Sequence, residues 1–130
     1  QEGIAEALPF PDATFDRIVT AFTLRNFTDR KAAFLECARV LKPGGKMVSL
    51  ELTRPKNAIL RTLHRWYVQG TIPLFGRFFS DPKSYEYLAR TVLTFPEPEE
   101  IAEELRNAGF RNMAIHPLHA GITTLHIASA

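Results

Sequence analysis

The feature that most limits this chain is a double change of hydrophobic period between Asp16 and Leu52, because strand, helix and strand in that order form a parallel sheet covered by helices. The run Asp16-Arg17-Ile18-Val19-Thr20-Ala21-Phe22 follows a turn cluster at Pro9, Pro11 and Asp12 and is rich in β-branched residues, which predicts a buried strand. Phe34, Cys37, Ala38 and Leu41 then fall on one face of an amphipathic helix, with Thr28 or Asp29 available as its N-cap. Lys42-Pro43-Gly44-Gly45 ends that helix, since proline cannot continue it and glycine tolerates positive φ. A second strand, Met47 to Leu52, follows at once. A unit of roughly 35 residues with this order crosses over right-handed.

Beyond Pro55 the pattern becomes helical. Ile59, Leu60, Leu63, Trp66 and Tyr67 make an apolar stripe, and Arg61, His64 and Arg65 share the other side. A further helix is expected over Ser84 to Leu93. Another is framed by Pro98 in its first turn, by Glu97, Glu99 and Glu100 beside the positive end of its dipole, and by Gly109 as its stop. Phe110 to Ile115 and Ile122 to Ala128 read as two closing strands, joined through Pro117 and Gly121. The whole, residues 1–130, is expected to be a single domain with a helical, lid-like insertion at 54–94.

Composition excludes several classes. A net charge of +2 lacks the concentrated basic excess of a nucleic-acid binder. No window reaches the ~18 apolar residues of a membrane span, and the start lacks the basic and apolar runs of a signal peptide. The lone Cys37 cannot form an internal disulfide and reads as a buried small hydrophobe, which fits a reducing cytoplasm. His116 and His119 have a proline between them and no third ligand, so no metal site is expected. The chain begins with Gln1 on what reads as the tail of a longer pattern, and is expected to be a fragment.

Ala5-Glu6-Ala7-Leu8-Pro9-Phe10-Pro11-Asp12 with Phe15-Asp16, followed by Leu41-Lys42-Pro43-Gly44-Gly45 before a strand, resembles the middle of class I S-adenosylmethionine-dependent methyltransferases. The order of Phe22-Thr23-Leu24-Arg25-Asn26, Leu50-Glu51-Leu52-Thr53-Arg54-Pro55, Ser84-Tyr85-Glu86-Tyr87-Leu88, Ala120-Gly121 and Leu125-His126 narrows this. Together these segments resemble the ubiquinone and menaquinone biosynthesis C-methyltransferase family over essentially the whole chain. The resemblance implies an α/β fold, the C-terminal half of a Rossmann-like sheet with an antiparallel last strand. It implies S-adenosylmethionine as cofactor, no metal, and a prenylated benzoquinol or naphthoquinol as methyl acceptor.

The sequence departs from the family pattern in two respects. Where the family has a polar residue, often Asp or Asn, facing the adenine, this chain has Ile4, which cannot accept a hydrogen bond from an exocyclic amine; the Ala5 amide remains available. No Gly-x-Gly-type loop or ribose-binding acid precedes Gln1, so the isolated chain is expected to be inactive. The edge of the strand at Asp16 to Phe22 is expected to be bare, and therefore to promote a homodimer or swapped assembly.

Carbon methylation of an aromatic ring needs an electron-rich ring, in-line approach, exclusion of water, and something to take a phenolic proton. Ligands in open α/β sheets sit beyond the carboxyl ends of strands, which places Thr23 to Asn26 and Glu51 to Thr53 along the site. Arg25 is the first candidate for orienting the acceptor: too basic to act as a simple base, it can hold a phenolate or order a water, or alternatively tie the loop to the sheet by a salt bridge. Tyr85 and His126 are the other catalytic candidates, each with core packing as the competing role. Ile4, Ala5, Thr23 and Asn26 are expected on the cofactor side, Asn26 with a turn-forming role as the alternative. The acid-free stretch from Leu52 to Ser80 carries Arg54, Lys56, Arg61, Arg65 and Arg77 among Trp66, Tyr67, Phe75, Phe78 and Phe79. It suits a lid over an isoprenoid-bearing ring and loose contact with an anionic membrane surface, or a helix pair whose aromatics fill the core. Two other readings stay open: a class I methyltransferase with another small apolar acceptor, and a non-catalytic module or scaffold.

Overall fold

The computed structural model describes residues 3–71, 87 and 90–130. The predicted strand–helix–strand unit is present as β1 (Phe15–Ala21), α1 (Arg30–Val40) and β2 (Leu41–Leu52). Asp29 rather than Thr28 is the N-cap, its carboxylate accepting the Ala32 N–H at 3.0 Å. Helix α2 (Ala58–Trp66) starts at Asn57, whose side chain accepts from Ile59 and Leu60 N–H. Residues 90–94 are also helical. Next come α3 (Pro98–Asn107), β3 (Arg111–Leu118) and β4 (Thr123–Ser129). Pro98 opens α3, the Glu100 carboxylate accepts the Glu97 N–H at 3.2 Å, and Gly109 closes the helix at φ +101. The helix expected over Ser84 to Leu93, and much of the 54–94 lid, lie partly outside the described residues.

The strand order is β1-β2-β4-β3. β1 and β2 are parallel, and β4 runs antiparallel to both β2 and β3, as the resemblance implied for the closing strand. β3 extends further than its sequence pattern, through Pro117, which an edge strand tolerates because its outer side needs no N–H donor. The turn at Lys42-Pro43-Gly44-Gly45 does more than stop α1. β2 already pairs at Phe15↔Leu41 and resumes at Arg17↔Lys46, so these residues bulge within the strand. A Cβ on the buried Gly45 would sit 2.8 Å from the Lys42 carbonyl oxygen and 3.2 Å from that of Asp16, so no larger residue fits.

Helices α1 and α3 cover one face of the sheet. Phe34 and Cys37 from α1, Ile101 and Leu105 from α3, and Leu41, Met47, Phe95 and Phe110 form the core between them. Arg30 joins the two helices by a two-pronged contact to Glu104 at 2.8 and 2.7 Å. The other face carries Val19, Val48, Leu50, Leu125 and Ile127, which cross-strand pairing sets side by side. Val19 there is 76% exposed, and β1 pairs with β2 alone among the described strands. The stripe on α2 also faces outward: Ile59, Leu63 and Trp66 are exposed, and no α2 residue is buried. Among the described residues no helix is long and apolar enough to cross a membrane.

Candidate active site

After Ala21 the chain turns through Phe22 at φ +58 and coils into a short helical turn, Leu24–Asn26, at the carboxyl end of β1. This turn is fastened from below by the next strand. Phe22 N–H donates to the Leu50 carbonyl at 2.8 Å, and Glu51 reaches up with both carboxylate oxygens. Oε1 accepts the Leu24 N–H at 2.8 Å and Oε2 accepts Arg25 Nη2 at 2.5 Å. The Arg25 side chain is 4% exposed and that of Glu51 0%, so the pair is dry. The guanidinium carbon lies 5.9 Å from the Phe95 ring centroid, within cation–π range. Nε and Nη1 of Arg25 are buried without a hydrogen-bond partner. Of the two roles open to Arg25, the salt bridge that ties the loop to the sheet is present, yet it occupies only one guanidinium nitrogen. Asn26, next in the turn, accepts from the Tyr87 hydroxyl at 3.2 Å.

Below this pair the sheet is polar where a core is usually apolar. Ser49, Glu51 and Thr53 of the β2 segment and Thr124 and His126 of β4 all point to the helix-covered face and are buried. The Thr53 hydroxyl donates to the Gly121 carbonyl at 2.9 Å and meets the Thr124 hydroxyl at 2.8 Å. His126 Nε2 lies 3.0 Å from the Pro98 carbonyl oxygen. A carbonyl only accepts, so Nε2 carries the proton and Nδ1, which has no partner, carries the lone pair. Burial pushes the His126 pKa below its ordinary value, against the opposing pull of the Pro98 carbonyl and of Glu51 and Glu99. His126 is therefore a neutral imidazole beneath the sheet's active end, diagonal to Glu51 across the β2–β4 pairing.

A cavity of about 410 Å³ opens beside β1. Ala5, Leu8, Ile18, Thr20, Thr23, Phe27 and Met47 are among the residues around it. Two of the expected cofactor-side residues, Ala5 and Thr23, thus share one cavity, and the Thr23 hydroxyl contacts that of Thr20. Ile4 is exposed and bridges to Ala7, and Asn26 belongs to the Arg25 turn instead. Tyr85 lies outside the described residues. Sequence reasoning set Glu51 along the site without giving it a role. The available signal was a carboxylate between Leu50 and Leu52 in a strand, which if buried requires a cationic partner. Tyr87, two residues on from Tyr85, is the tyrosine that meets Asn26. Among the described residues no cluster of His, Cys, Asp and Glu could hold a metal ion.

The model of the ubiE/COQ5 methyltransferase family matches residues 2–130. The demethylmenaquinone methyltransferase of Roseiflexus castenholzii is 42% identical over 125 residues, which is 95% of this chain and 52% of that protein. The ubiquinone/menaquinone biosynthesis C-methyltransferase UbiE of Shewanella piezotolerans is 43% identical over 94% of this chain and 49% of its own length. The chain thus spans about half the length of the curated relatives it matches. Among solved structures, a SAM-dependent methyltransferase of Thermotoga maritima, described as a possible histamine N-methyltransferase, superposes with a TM-score of 0.64 at 19% identity, over 98% of this chain and 61% of that one. Human N-acetylserotonin methyltransferase, solved in complex with SAM, gives 0.61 at 20% identity, over 99% of this chain and 32% of that one. These likenesses show the fold, the Rossmann-like sheet of SAM-dependent methyltransferases.

Proposed function

This chain belongs to the ubiE/COQ5 methyltransferase family, and on that premise we propose that it forms the acceptor-side half of an enzyme that methylates a ring carbon of a prenylated benzoquinol or naphthoquinol. The observation that carries this reading is Arg25: a buried guanidinium at the carboxyl end of β1, with Nε and Nη1 free of any protein acceptor. Unpaired buried donors are costly, and a ring oxygen is a fitting acceptor for them. Arg25 thereby holds the acceptor's hydroxyl oxygen and a water beside it, so that the phenolic proton passes to that water as electron density moves onto the ring. Phe95 lies against the guanidinium and helps to hold it in place. Asn26, braced by the Tyr87 hydroxyl, fixes the far end of the same turn.

The cavity bordered by Ala5, Ile18 and Thr23 fits the cofactor's adenine, since its walls are largely apolar and the Thr20 and Thr23 hydroxyls offer polar contacts at one side. S-adenosylmethionine supplies an electrophilic methyl group on a sulfonium. The Ala5 region and Thr23 hold its base, and the neutral His126 supports the sheet beneath Glu51 as a positioning residue.

Two partner surfaces accompany this reading. The outward stripe of Ile59, Leu63 and Trp66 on α2, with Arg61 and Arg65 on the same helix, suits shallow contact with an anionic membrane that holds the prenylated acceptor. The unpaired edge of β1 suits pairing with another strand, from a second copy or a swapped segment. The test of the function is transfer of isotope-labelled methyl from S-adenosylmethionine to a panel of prenylated quinols by the complete protein, with Arg25→Gln as the control. Loss of transfer in the variant supports the assignment of Arg25, and transfer to no quinol sinks the reading.

A further inference from the structure

Resting on the reading of Arg25 as the residue that faces the acceptor, we propose that Glu51 determines acceptor specificity, cancelling the charge of Arg25 so that the site takes an uncharged hydroxylated ring and refuses one bearing a carboxylate.

The geometry behind this is specific. Glu51 is wholly buried and spends one oxygen on the Leu24 N–H, at 2.8 Å, and the other on Arg25 Nη2, at 2.5 Å. Nη2 is the nitrogen common to both two-pronged edges of a guanidinium. A second carboxylate could therefore grip Arg25 in the two-pronged way only by sharing Nη2 with Glu51, which sets two like charges against one nitrogen in a dry site. Like charges so placed at an interface cost enough to exclude a partner. The donors left over, Nε and Nη1, flank Nη2 and are each suited to a single hydroxyl or carbonyl oxygen. The buried pair already sums to zero, so an uncharged ring adds no net charge to the interior, whereas a carboxylated ring leaves one negative charge uncompensated. His126, diagonal to Glu51 across the β2–β4 pairing, is neutral and so does not offset that charge.

The test is calorimetric binding, in the complete protein, of a prenylated hydroquinone and two derivatives of it, one carrying a ring carboxamide and the other a ring carboxylate. The carboxamide and carboxylate match in size, so their affinity ratio reports charge. The native protein is expected to bind the carboxamide at least ~10-fold more tightly than the carboxylate. Glu51→Gln, whose side-chain carbonyl can still accept the Leu24 N–H, is expected to reduce or invert that ratio by ~10-fold or more, and Arg25→Gln combined with it is expected to abolish the gain. Equal binding of the two derivatives by the native protein overturns the proposal without recourse to any variant. So does an unchanged ratio in folded Glu51→Gln while Arg25→Gln weakens binding of the parent quinol. If Arg25→Gln alone leaves all three affinities unaltered, Arg25 does not face the acceptor, and it is the underlying reading that fails.

Discussion

Glu51 and Arg25 are joined at 2.5 Å with almost no access to water, and the same carboxylate also holds the backbone of Leu24, so one strand residue fixes a whole turn of the neighbouring strand's exit. Removing one member of such a pair leaves the other charge buried and alone. Arg25→Met or Glu51→Leu is expected to lower stability by about 3–5 kcal/mol, whereas the double replacement recovers much of the loss. Urea titration of the four proteins in a double-mutant cycle checks this, and additive losses would contradict it.

The depressed pKa of His126 predicts the sign of a pH effect. Because burial lowers its folded pKa below the ordinary 6.5, the unfolded chain takes up the proton first on acidification. Stability is therefore full above the unfolded value and is lost as pH falls through it toward the lower folded value. Thermal melts from pH 8 to about 5 should show that decline, and His126→Gln should flatten it. Ring-nitrogen NMR should find the proton on Nε2. A folded midpoint above that of the exposed histidines would refute the assignment. At lower pH a second loss is expected. Arg39, with help from the Leu8 N–H, holds the Glu36 carboxylate down to about 2 from 4.5, so its contribution disappears between those values as acid is added.

Gly45 permits the bulge by which β2 follows α1 without a linker. Gly45→Ala sets a methyl against the backbone oxygens of Lys42 and Asp16, neither of which is free to rotate away. A loss of about 1–3 kcal/mol is expected by chemical denaturation. Gly44→Ala meets no neighbour but must adopt φ +78, so a smaller loss, about 1 kcal/mol, is expected there.

The exposed stripe on α2 predicts partition onto anionic vesicles, reported by a blue shift of the emission of Trp66, the chain's one tryptophan. Leu63→Glu or Ile59→Glu should weaken partition by roughly 10-fold or more, since each removes an apolar side chain worth about 1.5–3 kcal/mol when buried. Equal partition of native and variant proteins would rule out this face as the contact.

Much of the fold was legible because it rests on local chemistry. The β-branched run at Ile18 to Thr20, the face of Phe34 and Cys37, and the proline–glycine frame of α3 each act through nearby residues, and each became the strand or helix its pattern predicted, although β1, expected to be buried, has no buried residue because β2 alone flanks it among the described strands. The site was legible by position only. Arg25 lies at a strand exit, where ligands bind in such sheets, but its partner is 26 residues away and becomes its neighbour only when β1 and β2 pair. The two faces of β2 are also the reverse of what their side chains suggest. Ser49, Glu51 and Thr53 would normally face solvent, yet they face the helices, and the aliphatic residues between them remain partly exposed. Orientation depends on which face the helices cover, a tertiary property that period alone does not carry. The stripe on α2 had the pattern of a core face and is outward because nothing among the described residues packs on it.

The acceptor-side role proposed for this chain in a quinol C-methyltransferase is tested most directly by product analysis after the complete protein is incubated with isotope-labelled S-adenosylmethionine and a reduced, prenylated demethylquinol. The predicted result is one labelled methyl on a ring carbon, abolished by Arg25→Gln in a variant that still melts cooperatively. Label found on oxygen or nitrogen, or transfer undiminished in Arg25→Gln, would contradict the account.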